Sequence, residues 1–374
     1  MLAVGVLLLC TLPLAAQDNA SPETTVRQAV GFAVSPPVSE LAKLPQAPQY
    51  GFREAPPVRR IPKPDLGVAV DPVEQNNALG APAVNYTIGL DFLGVGNGFF
   101  NYTVPDAPPD TNMAVSDTQI VQWVNVSFAI FNKFNPAIYT GPIAGNLLFS
   151  ALGGPCATNN SGDIIAQWDN AAHRWLLAQN VFTGPPYYAC VAVSTTANAL
   201  GTYYLYQFPL GNNFPDYPKW GRWTDTWAQT MNIFAPGFVG AEVCLYERTG
   251  LLAGTPFPRQ VCHQYPNTED SLLPADIDSP TNPPSGECQF FAGTLRPPTS
   301  LSLYSACIDW LHPSGATFSS PFLVTVPTYT ITCGGGGRVC VPQKGIRDQL
   351  DSLGDRLMYR FAYYNDASSY GKQH

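Results

Sequence analysis

Between Gly162 and Leu210 the chain reads Asp163-Ile-Ile-Ala-Gln-Trp168, Arg174-Trp-Leu-Leu-Ala-Gln-Asn-Val-Phe182, Tyr187-Tyr-Ala-Cys-Val-Ala-Val193 and Thr202-Tyr-Tyr-Leu-Tyr-Gln-Phe208. Each run is rich in β-branched and aromatic residues, and turn material such as Asp169-Asn170 or Asn198 to Gly201 separates the runs. Side chains of that kind fit a pleated, half-buried surface, so the stretch reads as four consecutive strands, an antiparallel meander.

The same texture recurs on both sides. Gln119 to Phe134 (QIVQWVNVSFAIFNKF) resembles a hairpin, Thr226 to Glu247 holds TWAQTMNIF and FVGAEVCLYE, and Cys288 to Trp310 holds CQFFAGTL and SLSLYSACIDW. Each group opens with an aspartate near a first short strand: Asp110, Asp163, Asp225, Asp276 and Asp355, separated by 53, 62, 51 and 79 residues. Four-stranded sheets repeated about an axis make a β-propeller, which leaves only short edges exposed. The expected fold is therefore all-β, a β-propeller of four-stranded antiparallel blades over residues 85–374, with a β-sandwich as the alternative. Four units are complete and a fifth begins around Ser352, so the ring is expected to be incomplete at the C-terminus, as in a fragment.

Composition narrows the class of function. Only 12% of the 374 residues are charged, against roughly 25% in an ordinary soluble domain, and the net charge of -8 offers no basic stripe to a phosphate backbone. No nucleic-acid partner is expected. Thirty-seven prolines and 32 glycines disfavour long helices. Residues 2–16 (LAVGVLLLCTLPLAA) form an apolar run too short to span a bilayer and ending in small residues, which predicts a signal peptide over 1–16, a secreted product and no membrane span. Residues 17–84 are Pro-rich without apolar alternation and are expected to form an extended leader or linker.

Removing Cys10 with the signal leaves Cys156, Cys190, Cys244, Cys262, Cys288, Cys307, Cys333 and Cys340. None is spaced for a zinc cluster, and an even number suits an oxidising compartment. Sequential pairing keeps each bridge local: 156 with 190, 244 with 262, 288 with 307, and 333 with 340.

The segments PPDTNMAVSDTQIVQWVNVSFAIFNK, WDNAAHRWLLAQ, CVAVSTTANALGTYYLYQFPLGNNFPDYPKWGRWTDTWAQT and LDSLGDRLMYRFAYYN resemble a family of large secreted bacterial proteins, found especially in soil bacteria and expected to be β-propellers. The resemblance covers roughly residues 105–365 and implies fold and secretion. Chains of that family continue past the LDSLGDRLMYR segment, and the resemblance carries no catalytic residue across.

Chemistry can then be sought where the leading aspartates converge. Aspartate is common at turns because it accepts local backbone hydrogen bonds, which is the plain reading of all five. If Asp163 and Asp225 face each other, glycoside hydrolysis is available, one carboxyl protonating the leaving oxygen while the other attacks or activates water. Asp110, Asp276 and Asp278 are hard oxygen ligands suited to calcium; no cofactor is otherwise required. Trp220 and Trp223 with Arg222 between them can stack on a sugar ring and bind its hydroxyls, or simply pack between blades. No G-x-S-x-G elbow is present, and with every mature cysteine paired no free thiol remains as nucleophile. The expected function is binding of extracellular carbohydrate, with hydrolysis as the activity the carboxylate pair would allow. The alternative is a non-catalytic adhesion or interaction module of a larger exported protein, with a surface protein as partner.

Overall fold

Strand-forming runs and turns alternate through the chain and give four larger antiparallel sheets in sequence order, besides two-stranded pairings of Arg53–Glu54 with Asp106–Ala107, Asp276–Ile277 with Ala362–Tyr363 and Val339–Pro342 with Gln349–Asp351. The computed structural model describes residues 24–46, 53–54, 87, 89–100, 102–278, 281–294, 299–329, 339–343, 345, 347–352, 356–358 and 360–363. The first sheet comprises Asn112–Val115, Gln119–Val124, Ser127–Asn132 and Tyr139–Ala144. The second comprises Ile165–Asp169, Arg174–Val181, Tyr187–Ser194 and Tyr203–Gly211, the meander read from the sequence with its ends slightly shifted. The third comprises Phe214–Arg222, Thr226–Ala235, Gly237–Glu247 and Arg259–Gln264. In the fourth, Leu273–Pro274, Gln289–Thr294 and Ser300–Cys307 follow one another, and Thr317–Phe318 and Phe322–Thr325 both pair with Ser300–Cys307. The protein is all-β, and no sheet among the described residues closes into a barrel.

The sheets are buried on consecutive faces because alternate side chains of a strand point opposite ways. In Arg174–Val181, Trp175 and Leu177 enter a core shared with Trp123, Phe128 and Ile143 of the first sheet. Their neighbours Leu176 and Ala178 enter a second core with Trp227, Met231 and Tyr246 of the third. A third core joins Ala228, Val243 and Leu245 to Phe291 and Tyr304 of the fourth. Burial on both faces explains why Thr226–Ala235 is buried at every residue but its last, where a one-sided sheet would alternate.

The first strand of each sheet lies beside the first strand of the next, and side chains bridge them to backbone. Ala166 N donates to Asn112 Oδ1 (3.0 Å), Gln167 Nε2 to Trp220 O (2.8 Å) and Arg222 N to Asp276 Oδ1 (3.0 Å). Third and fourth sheets approach closely at Gly221, where an added Cβ would stand 2.6 Å from Ala275 O and 3.0 Å from Pro274. Only glycine fits that approach.

Residues 24–41 correct the reading of 17–84 as a leader. Thr24–Gln28 pairs with Arg259–Gln264 and Gly31–Val34 with Tyr203–Gly211, so one N-terminal segment covers the outer edges of the third and second sheets. Val38 and Leu41, on the short helix Val38–Leu41, are buried in the first core. Edge strands of half-exposed residues carry little apolar alternation, which is why composition alone missed them. The expected signal at 1–16 lies outside the described residues; among those that are described, no helix is long and apolar enough to cross a membrane.

Three expected disulfides are present: Cys156–Cys190, Cys244–Cys262 and Cys288–Cys307. The fourth, Cys333 with Cys340, falls outside the described residues. Glu242 and the bridged Cys244 and Cys262 lie close together, but bridged sulfurs have no thiolate to offer a metal.

The N-terminal edge strand also reaches a buried acid, with Arg27 Nη2 3.8 Å from Glu242 Oε1. Burial pushes the Glu242 carboxyl from 4.5 up to about 7, and Arg27 only partly offsets it. Between those two values the folded chain holds a proton that the unfolded chain has released, so stability falls as pH rises through this window. Glu242→Gln is expected to remove a decline on the order of 3 kcal/mol, read by urea denaturation across the pH series. An unchanged slope in the variant would refute the assignment.

Candidate ligand cavity

The four leading strands enclose a cavity of about 630 Å³, closed on a further side by Met358, Arg360 and Phe361 of the C-terminal segment. Asn112 to Val115, Ile165 to Trp168, Asn170, Lys219 and Trp220, Leu273 and Pro274, and Asp276 to Asp278 contribute to its wall.

A left-handed residue precedes the first, second and fourth leading strands, at Asp110 (φ 42°), Asp163 (φ 50°) and Ser271 (φ 49°), and one lies within the third, at Tyr217 (φ 57°). Aspartate tolerates this conformation; tyrosine does so under strain. An aspartate occupies or immediately precedes each of these positions: Asp110, Asp163, Asp216 and Asp270, separated by 53, 53 and 54 residues. This is the repeat the sequence carries, and the choice of Asp225 and Asp276 missed it. Pro215 and Pro218 argue against a strand around Asp216. Here a β-bulge between Asp216 and Lys219 absorbs the irregularity.

Asp163 sits where burial, reinforced by the Asp216 and Asp110 carboxylates, pushes its carboxyl up to about 7; Lys219 and a hydrogen bond from the Tyr217 N–H pull the other way. Burial pulls the Lys219 ammonium below the usual lysine range, against the neighbouring Asp163 and Asp110. The Lys219 Nζ lies 3.9 Å from the centre of the Tyr217 ring, over which Arg356 also sits at 4.9 Å.

The opposite end is an ion-pair lattice. Arg360 donates to Asp276 Oδ2 (2.6 Å) and to both oxygens of Asp278 (2.5 and 2.6 Å). Arg222 Nη2 donates to Asn170 Oδ1 (3.0 Å) and Ile277 O (3.1 Å). Asp169, fully buried, accepts from Arg248 at 2.7 Å and lies 3.7 Å from Arg222 Nε. Between the two ends, Gln167 Oε1 is buried without a partner among the described residues. Trp168 beside it is half-buried, its ring 4.9 Å from Trp175 and 5.8 Å from His173.

The candidate residues divide accordingly. Asp163 and Asp225 do not form a pair: Asp163 acts with Asp216 and Asp110 at the start of the leading strands. Asp225 follows Arg222 at the far end, on the order of 20 Å away at strand rise. There its backbone oxygen accepts from Trp310 Nε1 and Arg248 N, and burial pushes its carboxyl up. The expected calcium set is also split. Arg360 neutralises Asp276 and Asp278, while Asp110 belongs to the opposite end, so these three do not fit one ion. Trp220 (6% exposed) stacks on Tyr246 at 4.8 Å. Trp223 (1%) packs on Tyr363 at 4.8 Å and donates to Glu287 O, and Arg222 (3%) is held in its ion-pair lattice. These side chains join sheets and offer no stacking face to a sugar. Asp355 lies outside the described residues.

Comparison with family models, with curated proteins and with solved structures gives no match to this chain.

Proposed function

We propose that the four sheets are blades of a β-propeller gathered around this cavity, and that the protein is a secreted carbohydrate-binding module whose ligand enters it. The carrying observation is the wall itself: an amide-bearing row, Asn112, Gln167 and Asn170, beside the half-buried indole of Trp168, in a space sized for a small saccharide. Amides exchange hydrogen bonds with hydroxyls, and an indole face covers the apolar face of a sugar ring. Binding is favoured over hydrolysis because the two carboxyls first considered as acid and nucleophile sit at opposite ends.

A screen of neutral oligosaccharides by calorimetry tests this, with Trp168→Ala expected to weaken any hit roughly tenfold, about 1.4 kcal/mol. A hit that Trp168→Ala leaves unchanged would move the ligand elsewhere. A second reading, an interaction module of a larger exported protein, draws on the outer strand Phe322–Thr325, where Phe322 and Leu323 are 69% and 54% exposed.

A further inference from the structure

Cys244 and Cys262 are register partners on the neighbouring strands Gly237–Glu247 and Arg259–Gln264, and Thr25 of the N-terminal edge strand pairs with Cys262 on its other side. Alternate residues of a strand share a face, so Glu242, two positions before Cys244, stands on the side of the sulfurs. A Glu242 carboxylate oxygen and both sulfurs lie within 4.8 Å of one another, and among the described residues no other bridge has an acid or an imidazole gathered with it in this way. All three side chains are buried, the cysteines completely. Across the ladder Glu242 faces Met231 on one side and Gln264 on the other. Tyr246, further along its own strand, donates its hydroxyl to Gln229 Oε1 (2.5 Å). Arg27 Nη2, 3.8 Å away on the edge strand, is the charged group that reaches the carboxyl, and Arg27 Nη1 also donates to Pro209 O (3.4 Å). The second sheet contributes Tyr206 to the same core, its hydroxyl donating to Leu251 O.

Cleaving a disulfide by exchange leaves a thiolate, and a buried thiolate is costly unless a proton reaches it. Glu242 is a proton donor standing where that charge develops. We propose that Cys244–Cys262 is a site of thiol–disulfide exchange with a dithiol, in which Glu242 supplies and recovers the proton. Ala29 and Phe32 of the N-terminal segment close the edge of the core that holds both sulfurs, and the edge strand Thr24–Gln28 alternates exposed and half-buried residues. Local lifting of such an edge admits the reductant beside Cys262. One sulfur of the dithiol, as thiolate, bonds to Cys262 Sγ; the Cys244–Cys262 bond breaks, and its electron pair stays on Cys244 Sγ, which takes the Glu242 proton. The second thiol of the dithiol gives its proton to the Glu242 carboxylate and attacks the first dithiol sulfur, releasing Cys262 Sγ, which takes that proton in turn. The dithiol leaves as a cyclic disulfide, the protein holds two thiols, and water returns to Glu242 the proton that the first dithiol sulfur had shed.

The test is the reduction rate of Cys244–Cys262 in the full chain by dithiothreitol from pH 6 to pH 8, read by timed alkylation and peptide mapping. It is expressed relative to Cys156–Cys190, which is equally buried, so that the thiolate fraction of the reductant cancels. Burial pushes the Glu242 carboxyl up to about 7, so the ratio is expected to fall roughly tenfold across the series. Ionisation of Glu242 also loosens the fold, and opening alone would make the ratio rise, the opposite sign. Glu242→Gln is expected to lower the ratio roughly tenfold at pH 6 and to flatten its profile. Arg27→Met, which removes the charge that favours ionised Glu242, is expected to move the fall to higher pH. Thermal melts report that each variant is folded. A wild-type ratio that stays level or rises with pH overturns the proposal, as does a fall that persists in folded Glu242→Gln. Should Glu242→Gln not fold, an Arg27→Met profile that coincides with the wild type overturns it.

Discussion

Asp169→Ala is expected to lower the free energy of unfolding by about 3–5 kcal/mol, the usual cost of stranding one side of a buried ion pair. Asp169 is fully buried, accepts two 2.7 Å contacts from Arg248 and faces Arg222 at 3.7 Å, while its Oδ1 also accepts from Ala171 N and Ala172 N in the turn that follows. Arg222 of the third sheet and Arg248, at the start of the short helix Arg248–Ala253 that follows its strand Gly237–Glu247, thus meet one carboxylate at the end of the second sheet's leading strand. Without that carboxylate they face each other buried, and Arg222 Nη1 already lacks a partner among the described residues. Asp169→Asn keeps an oxygen for the turn but removes the charge, and is expected to retain only part of the loss. Urea denaturation of both variants reads the ordering; an Asp169→Ala loss below about 1 kcal/mol would show that the lattice behaves as an exposed pair.

Replacing Cys156 and Cys190 together by alanine is expected to cost about 4 kcal/mol, more than removing either other bridge, because it frees the longest loop. Its cysteines are 34 residues apart, against 18 and 19 for Cys244–Cys262 and Cys288–Cys307. Cys156 lies on the short helix Gly154–Thr158 that connects first and second sheets, so the bridge holds that connection against Tyr187–Ser194. The check is the three pairwise variants compared by denaturant midpoint. Equal midpoints for all three would contradict the loop-length argument.

The fold was legible where strands are buried on both faces, since nearly continuous apolar and aromatic runs such as Tyr187-Tyr-Ala-Cys-Val-Ala-Val193 favour a covered sheet. Three bridges followed from spacing alone because each joins neighbouring strands or the connection beside them. What sequence reasoning lost lies where local rules and tertiary structure disagree. Phe214–Arg222 carries two prolines and is nonetheless a leading strand, so Asp216 and Lys219 went unnoticed. The N-terminal strands are edge strands, specified by the sheets they join. Trp220 and Trp223 looked like sugar-stacking residues because nothing in the chain reveals that Tyr246 and Tyr363 already cover them. The even spacing of Asp110, Asp163, Asp216 and Asp270 is present in the sequence and marks the left-handed residues of the four leading strands.

The central claim, that four leading strands gather around one ligand cavity, is tested most directly by a crystal structure of the protein soaked with a saccharide hit. The account predicts sugar density between Asn112, Gln167, Trp168 and Lys219. Sugar bound on the outer face of a sheet, or leading strands that stand apart with no shared space between them, would contradict it.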